Sequence, residues 1–134
     1  MTLDIDRDNI FQHAYNKLQY RTVDELRSGD FEIKYKDDVG MDAGGLTRDF
    51  YIELSKAMFN PNYNLFRLTD NATNYYCNPN SHINEEHLDF FKFIGRIVGK
   101  AIYDKQLLEC YFAKPLYKMM LGEDLSCKDL EDMD

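Results

Sequence analysis

The sequence predicts an α+β fold, mainly helical with short β-hairpins. Three observations carry this expectation: an opening segment patterned on one helical face, alternating segments around Phe31 and Leu65, and a long helical stretch from Asn84 to Leu121. In chain order, Ile10, Phe11, Ala14, Tyr15 and Leu18 recur at helical spacing, behind Asp6 or Asp8 as the cap. Thr22-Val23-Asp24-Glu25 has the spacing of a capping box, so a short second helix should end near Gly29. Phe31, Ile33 and Tyr35 alternate with Glu32, Lys34 and Lys36 as in a half-buried strand, and Asp37 to Gly40 then turns the chain. After Gly44-Gly45, the residues Leu46, Phe50, Leu54, Ala57 and Met58 mark a third helix, which Asn60-Pro61 must stop. Leu65 to Thr69 and Tyr75 to Asn78, joined by a polar turn, form a hairpin.

The long stretch reads as one helix running into a second. From Leu88, the positions Phe91, Ile94, Val98 and Ala101, with Phe90, Ile97 and Ile102 beside them, make a wide apolar face. Asp89, Lys92, Arg96 and Lys100 line the opposite side, and Asn84 caps the helix with Glu85 and Glu86 at its positive end. Gly95 and Gly99, one turn apart, each cost about 1 kcal/mol relative to Ala, which the close approach of another helix would justify. A membrane-dimer role is disfavoured, because Lys92, Arg96 and Lys100 interrupt any run able to span a bilayer. Pro115 suits the first turn of the next helix, which should bury Leu116, Met119 and Met120 and end at Gly122. Ser126 opens a further helix with Leu130 and Met133 on its apolar side, yet Asp134 follows within about two turns. The expectation is a piece, or a truncated gene model, of a longer protein. Leu125, Leu130 and Met133, with Met119 or Met120, would then form an uncovered patch prone to self-association.

Composition sets the class. A chain of 134 residues supports one domain and buries roughly two thirds of its unfolded surface. With 44% hydrophobic residues, ten Tyr and nine Phe, it is not a disordered chain. A formal net charge of -8 argues against nucleic acid as a partner, since a phosphate backbone demands a basic face. Basic residues gather between Lys92 and Lys118 and acids between Glu123 and Asp134; solvated helix faces account for both. Three cysteines and no signal peptide point to a cytoplasmic or nuclear setting where thiols stay reduced.

Several separated motifs then come together. FFKFIGRIVGKAIYDKQLLECYF, preceded by YNLFR and NPNSH and, further back, by GMDAGGLTRDF, resembles the front part of a HECT-type ubiquitin ligase domain. The wording is closest to the giant Mule-type ligases, with the Nedd-type next, and the resemblance runs from about Ile10 to Asp134. One departure is visible: the family often has Arg-Glu-Trp where this chain has Arg48-Asp49-Phe50, which keeps an aromatic side chain. The resemblance implies the N-terminal lobe of a protein that takes ubiquitin from a conjugating enzyme as a cysteine thioester and passes it to substrate lysines. It also implies that residues 1–134 form a partial domain ending before the conjugating-enzyme site and the catalytic C-terminal lobe. The family's nucleophile lies in a Thr-Cys-Phe setting, which Cys77, Cys110 and Cys127 do not match, so no catalytic residue is assigned. Ubiquitin, the conjugating enzyme and protein substrates are partners through the full-length parent. The rival reading is a stand-alone interaction module that kept the lobe's core and binds ubiquitin or another ligase without catalysis.

Other constellations are weaker. His82 and His87, five apart, cannot share a helix face, so no metal site is assigned. Asp42-Ala43-Gly44-Gly45 lacks the Gly-Lys-Ser/Thr ending of a nucleotide loop and reads as a tight turn, so no cofactor is expected. Cys127 lies near a helix start, but Asp124 and Asp129 oppose a thiolate there. In some HECT ligases the hairpin region carries an aromatic surface for a second, non-covalent ubiquitin. The resemblance therefore makes Tyr75 and Tyr76 the ubiquitin-contacting candidates, of which alternation exposes at most one.

Overall fold

Local signals form most of the elements where the patterning places them. The computed structural model describes residues 2–36, 43–69, 74–106, 108, 111–124 and 126–128. The elements are β1 (Thr2–Ile5), α1 (Ile10–Leu18), α2 (Val23–Arg27), β2 (Glu32–Tyr35), α3 (Ala43–Met58), β3 (Phe66–Leu68), β4 (Tyr75–Cys77), α4 (His87–Tyr103) and α5 (Lys114–Met120). They divide into two units, Met1–Met58 with Leu88–Glu109, and Phe59–His87 with Cys110–Asp134.

In the first unit, Asp6 accepts a hydrogen bond from the Asp8 amide and caps a 3-10 turn, so α1 itself starts only at Ile10. All five apolar positions expected on α1 are buried. Thr22 accepts from the Glu25 amide at 3.1 Å and opens α2, as the capping box requires. The strand around Ile33 is not part of a hairpin. β2 pairs in parallel with β1, Leu3 opposite Ile33 and Ile5 opposite Tyr35, with all four side chains inside. The short Leu3 and Ile5 alternation escaped the sequence reading because its partner lies some thirty residues on and a four-residue strand has little pattern of its own. Phe50, Leu54 and Met58 are buried on α3 as expected, joined by Tyr51, while Ala57 is only half-buried. Thr47 Oγ1 donates to the Phe31 carbonyl at 2.8 Å, and the Phe31 ring stacks on Tyr51, pinning α3 to β2. α3 begins at Ala43, so Gly44 and Gly45 lie in its first turn rather than in a tight turn before it; Asp37 to Asp42 lie outside the described residues.

The buried face of α4 differs from the expected one. Phe90, Phe93, Ile94, Ile97, Lys100 and Ala101 are inside, whereas Leu88 and Ile102 are 70% and 73% exposed and Phe91 and Val98 half-buried. Phe11 and Tyr15 of α1 meet Phe90 and Phe93 edge-on, with centroids 4.8–5.6 Å apart. Because α4 is apolar around most of its circumference, periodicity alone could not orient it. Nor do Gly95 and Gly99 sit under a crossing helix: a Cβ added at either meets nothing within 4 Å. Asn84 Oδ1 accepts from the Glu86 amide, and the helix begins just after, at His87.

The second unit is organised by asparagines and aromatics. Asn64 takes a left-handed conformation (φ 55°), and its amide donates to the Asn80 carbonyl at 2.7 Å. Asn78 Nδ2 donates to Asn64 Oδ1 at 2.8 Å, and Asn84 Nδ2 to the Tyr63 carbonyl at 2.9 Å. The YNLFR and NPNSH motifs thereby tie to one another. β3 and β4 form the expected antiparallel hairpin, Phe66 opposite Cys77 and Leu68 opposite Tyr75. Pro115 lies in the first turn of α5, and Gly122, at φ 73°, ends it. Met119 and Met120, expected inside, are exposed, and Leu116 is only half-buried. Cys127 and Lys128 are helical; Leu125, Leu130 and Met133 lie outside the described residues.

Candidate functional site

The hairpin is where the sequence places candidate contact residues, and alternation along β4 sends the two tyrosines to opposite sides. Tyr75 is half-buried and stacks on Phe59, with ring centroids 4.1 Å apart and planes 19° from parallel. Phe59 also packs on Phe66 at 5.1 Å, and Phe66 on Phe112 at 5.5 Å. The far edge of β4 is paired as well: the Tyr75 amide donates to the Tyr111 carbonyl and the Ala113 amide to the Tyr75 carbonyl, both at 2.7 Å. Tyr76 faces the other way and is buried. Its hydroxyl accepts from Arg67 Nε, and the guanidinium lies 5.0 Å from the ring centroid of the same residue. Of the two candidates, only Tyr75 leaves part of its ring accessible.

One residue that sequence reasoning missed joins this surface. Leu68, opposite Tyr75 in register, is 44% exposed, and it had a usable signal, since cross-strand partners share a face. On the other edge Phe112, bridged to Tyr75, shares that face but is buried, and alternation turns the exposed Tyr111 to the opposite side.

The polar and nucleophilic candidates are separated. Cys77 and Cys127 are free and exposed, while Cys110 lies outside the described residues. Desolvation raises the Cys77 thiol pKa, which works against a nucleophilic thiolate. His82 sits on a 3-10 turn and His87 opens α4, its Nδ1 3.0 Å from the Asn84 carbonyl oxygen. Among the described residues, no three His, Cys, Asp or Glu side chains are grouped to hold a metal, and no helix is long and apolar enough to cross a membrane.

The most buried charges belong to the first unit. Lys100 Nζ lies 2.9 Å from Asp104 Oδ2 and donates to the Gly29 carbonyl at 2.7 Å, both side chains being almost wholly enclosed. Tyr51 Oη donates to Asp104 at 3.2 Å; burial, then the Asp104 charge, pushes its phenol far above the ordinary value. The ammonium also stands 4.9 Å from the Phe31 ring centroid. Every charge here has a partner within the unit, which makes the cluster a tie between elements rather than a reactive centre.

Comparison with known proteins supplies the remaining context. A family model described as HECT-domain (ubiquitin-transferase) matches residues 52–134. The chain is 45% identical over its whole length to an E3 ubiquitin-protein ligase TOM1-like of Neurospora crassa, of which it spans 3%. It is 43% identical to E3 ubiquitin-protein ligase HUWE1 of Mus musculus, again over all of this chain and 3% of that protein. Identity to E3 ubiquitin-protein ligase RSP5 of Saccharomyces cerevisiae is 42%, over 98% of this chain and 16% of that one.

Proposed function

Because the chain belongs to the HECT-domain family of ubiquitin transferases, we propose that these residues are a scaffold part of the N-terminal lobe of a HECT-type ubiquitin-protein ligase. The parent protein takes ubiquitin from a conjugating enzyme as a cysteine thioester and transfers it to substrate lysines. The observation that carries this reading is the family match over 52–134, in a chain aligned end to end with large ligases of which it is a small share. In this reading the 134 residues contribute packing and a binding surface, and the chemistry belongs to the rest of the parent. None of Cys77, Cys110 and Cys127 stands in a Thr-Cys-Phe setting, which supports that division. The ligase works in the cytosol or nucleus, in keeping with free cysteines.

The surface around Tyr75, extended by Leu68, is the part of this reading that faces ubiquitin. Tyr75 and Leu68 keep part of their side chains accessible on the hairpin, which suits a protein contact. Tyr76 instead holds Arg67.

The test is a charging assay. Mixed with activating enzyme, a charged conjugating enzyme and ubiquitin, the 134-residue chain should form no adduct that a thiol reductant removes. Such an adduct, abolished by changing Cys77, Cys110 or Cys127 to Ser, would overturn the scaffold assignment.

A further inference from the structure

Three clefts stand in a row on the first unit, and each shares a lining residue with the next. One of about 370 Å³ lies between the two strands and α1, with Lys34, Lys36 and Lys17 along it. Lys17 also borders a second, of about 380 Å³, together with Arg21 and Tyr20. Tyr20 in turn divides the second from a third, of about 270 Å³, which Lys92 and Arg96 of α4 line. Just past the end of α1, Tyr20 is 86% exposed. Among the described residues, its ring and the ammonium groups of Lys17, Lys34, Lys36 and Lys92 have no hydrogen-bond, ion-pair or ring partner. Six cations thus meet four acids, Asp4, Asp6, Glu25 and Asp89, along the row. Two of those acids are engaged, Asp6 by the Asp8 amide and Glu25 by Arg21 at 3.0 Å. Arg96 donates to the Arg21 carbonyl, which ties the turn after α1 to α4 and holds the middle of the row in shape.

We propose that this row is a docking groove for an extended acidic segment of a partner protein, with Tyr20 at its centre. Charge selects the partner. The chain carries a formal net charge of -8, so an acidic segment is repelled from much of its surface and drawn to this row, where an unpaired ammonium group recurs in every cleft. The succession of clefts selects the form: an extended backbone passes through all three, whereas a small anion occupies one and leaves the other cations unmet. Tyr20 supplies a large amphipathic contact at the middle, and tyrosine and arginine are the side chains enriched where proteins meet. Nucleic acid fits less well. Asp4 and Asp89 stand exposed in the two outer clefts and oppose a continuous phosphate backbone, whereas a peptide can place a neutral residue at each. The groove belongs to the first unit and the Tyr75 surface to the second, so the two contacts are tested separately.

Fluorescence anisotropy of a labelled oligoglutamate peptide with one central leucine, titrated with the 134-residue chain, tests the proposal. The peptide should bind, and its affinity should fall several-fold as salt is raised. Lys17→Glu, Lys92→Glu and Tyr20→Ala should each weaken binding several-fold with little change in melting temperature, because these side chains have no partner among the described residues. Lys114→Glu makes the same charge change on α5 and should leave binding unaltered. No binding, or an equal loss in Lys114→Glu, overturns the proposal, the second by showing that net charge alone attracts the peptide. A single-stranded oligonucleotide that displaces the peptide and binds more tightly also overturns it, by making the row a phosphate-backbone contact. Each of these failures leaves the charging assay, and with it the ligase reading, untouched.

Discussion

Lys100→Met removes one member of a buried pair and leaves the Asp104 carboxylate, among the described residues, with the Tyr51 hydroxyl alone, so stability should fall by about 3–5 kcal/mol. Removing both charges, as Lys100→Met with Asp104→Leu, should recover much of that loss, because no uncompensated ion then remains. Urea unfolding of the three proteins checks this, and additive losses would mean that the pair is not coupled. Lys100 also shows what residue type conceals. A lysine four residues after Arg96 reads as part of a solvated edge, yet its ammonium reaches the Gly29 carbonyl, which no sequence window contains. The same holds for Tyr51, whose buried hydroxyl has its partner just past the end of α4, at Asp104. Tyr75 and Tyr76 were separable from sequence by alternation, but which of them stays accessible depended on Phe59 and Arg67.

Elements with local signals were legible. The α2 start is one: Thr22 caps it, and Arg21 pairs with Glu25 at 3.0 Å. That hydrogen bond is the main cause of a Glu25 pKa below its ordinary 4.5. A carboxyl whose folded pKa is depressed stabilises above the unfolded value and loses that contribution as pH falls through the folded one. Glu25→Gln should therefore lower stability slightly at neutral pH and leave it unchanged in acid well below pH 4.5, as paired urea titrations at the two pH values would record. The β3 and β4 hairpin was likewise readable, because turn and strands adjoin. β1 was not, since pairing with a strand beyond two intervening helices carries no local signature. The outward half of α4 had a signature that pointed the wrong way round. Its apolar residues on both sides made a single buried face an ambiguous choice, and the core aromatics of α1 decided it.

At the scale of the whole molecule, alkaline pH should unfold the chain through its first unit. Burial raises the phenols of Tyr35 and Tyr51, with Asp49 and Asp104 adding to the effect. A group whose folded pKa is raised contributes stability fully present below the unfolded value, here about 10, and lost as pH rises beyond it. Stability should thus decline above pH 10, and Tyr51→Phe should flatten that decline; an unaltered slope in the variant would exclude Tyr51 as its source. The class of fold, the face of α1, the cap of α2, the hairpin and the family resemblance were all determined by the sequence itself, because each rests on neighbours a few residues apart or on motifs whose order survives in the chain. The orientation of α4, the parallel pairing of β1 with β2, the burial of Lys100 and the bridge from Phe112 to Tyr75 were decided only by tertiary structure. Each depends on which distant group fills a given space, and no periodicity within one segment encodes that.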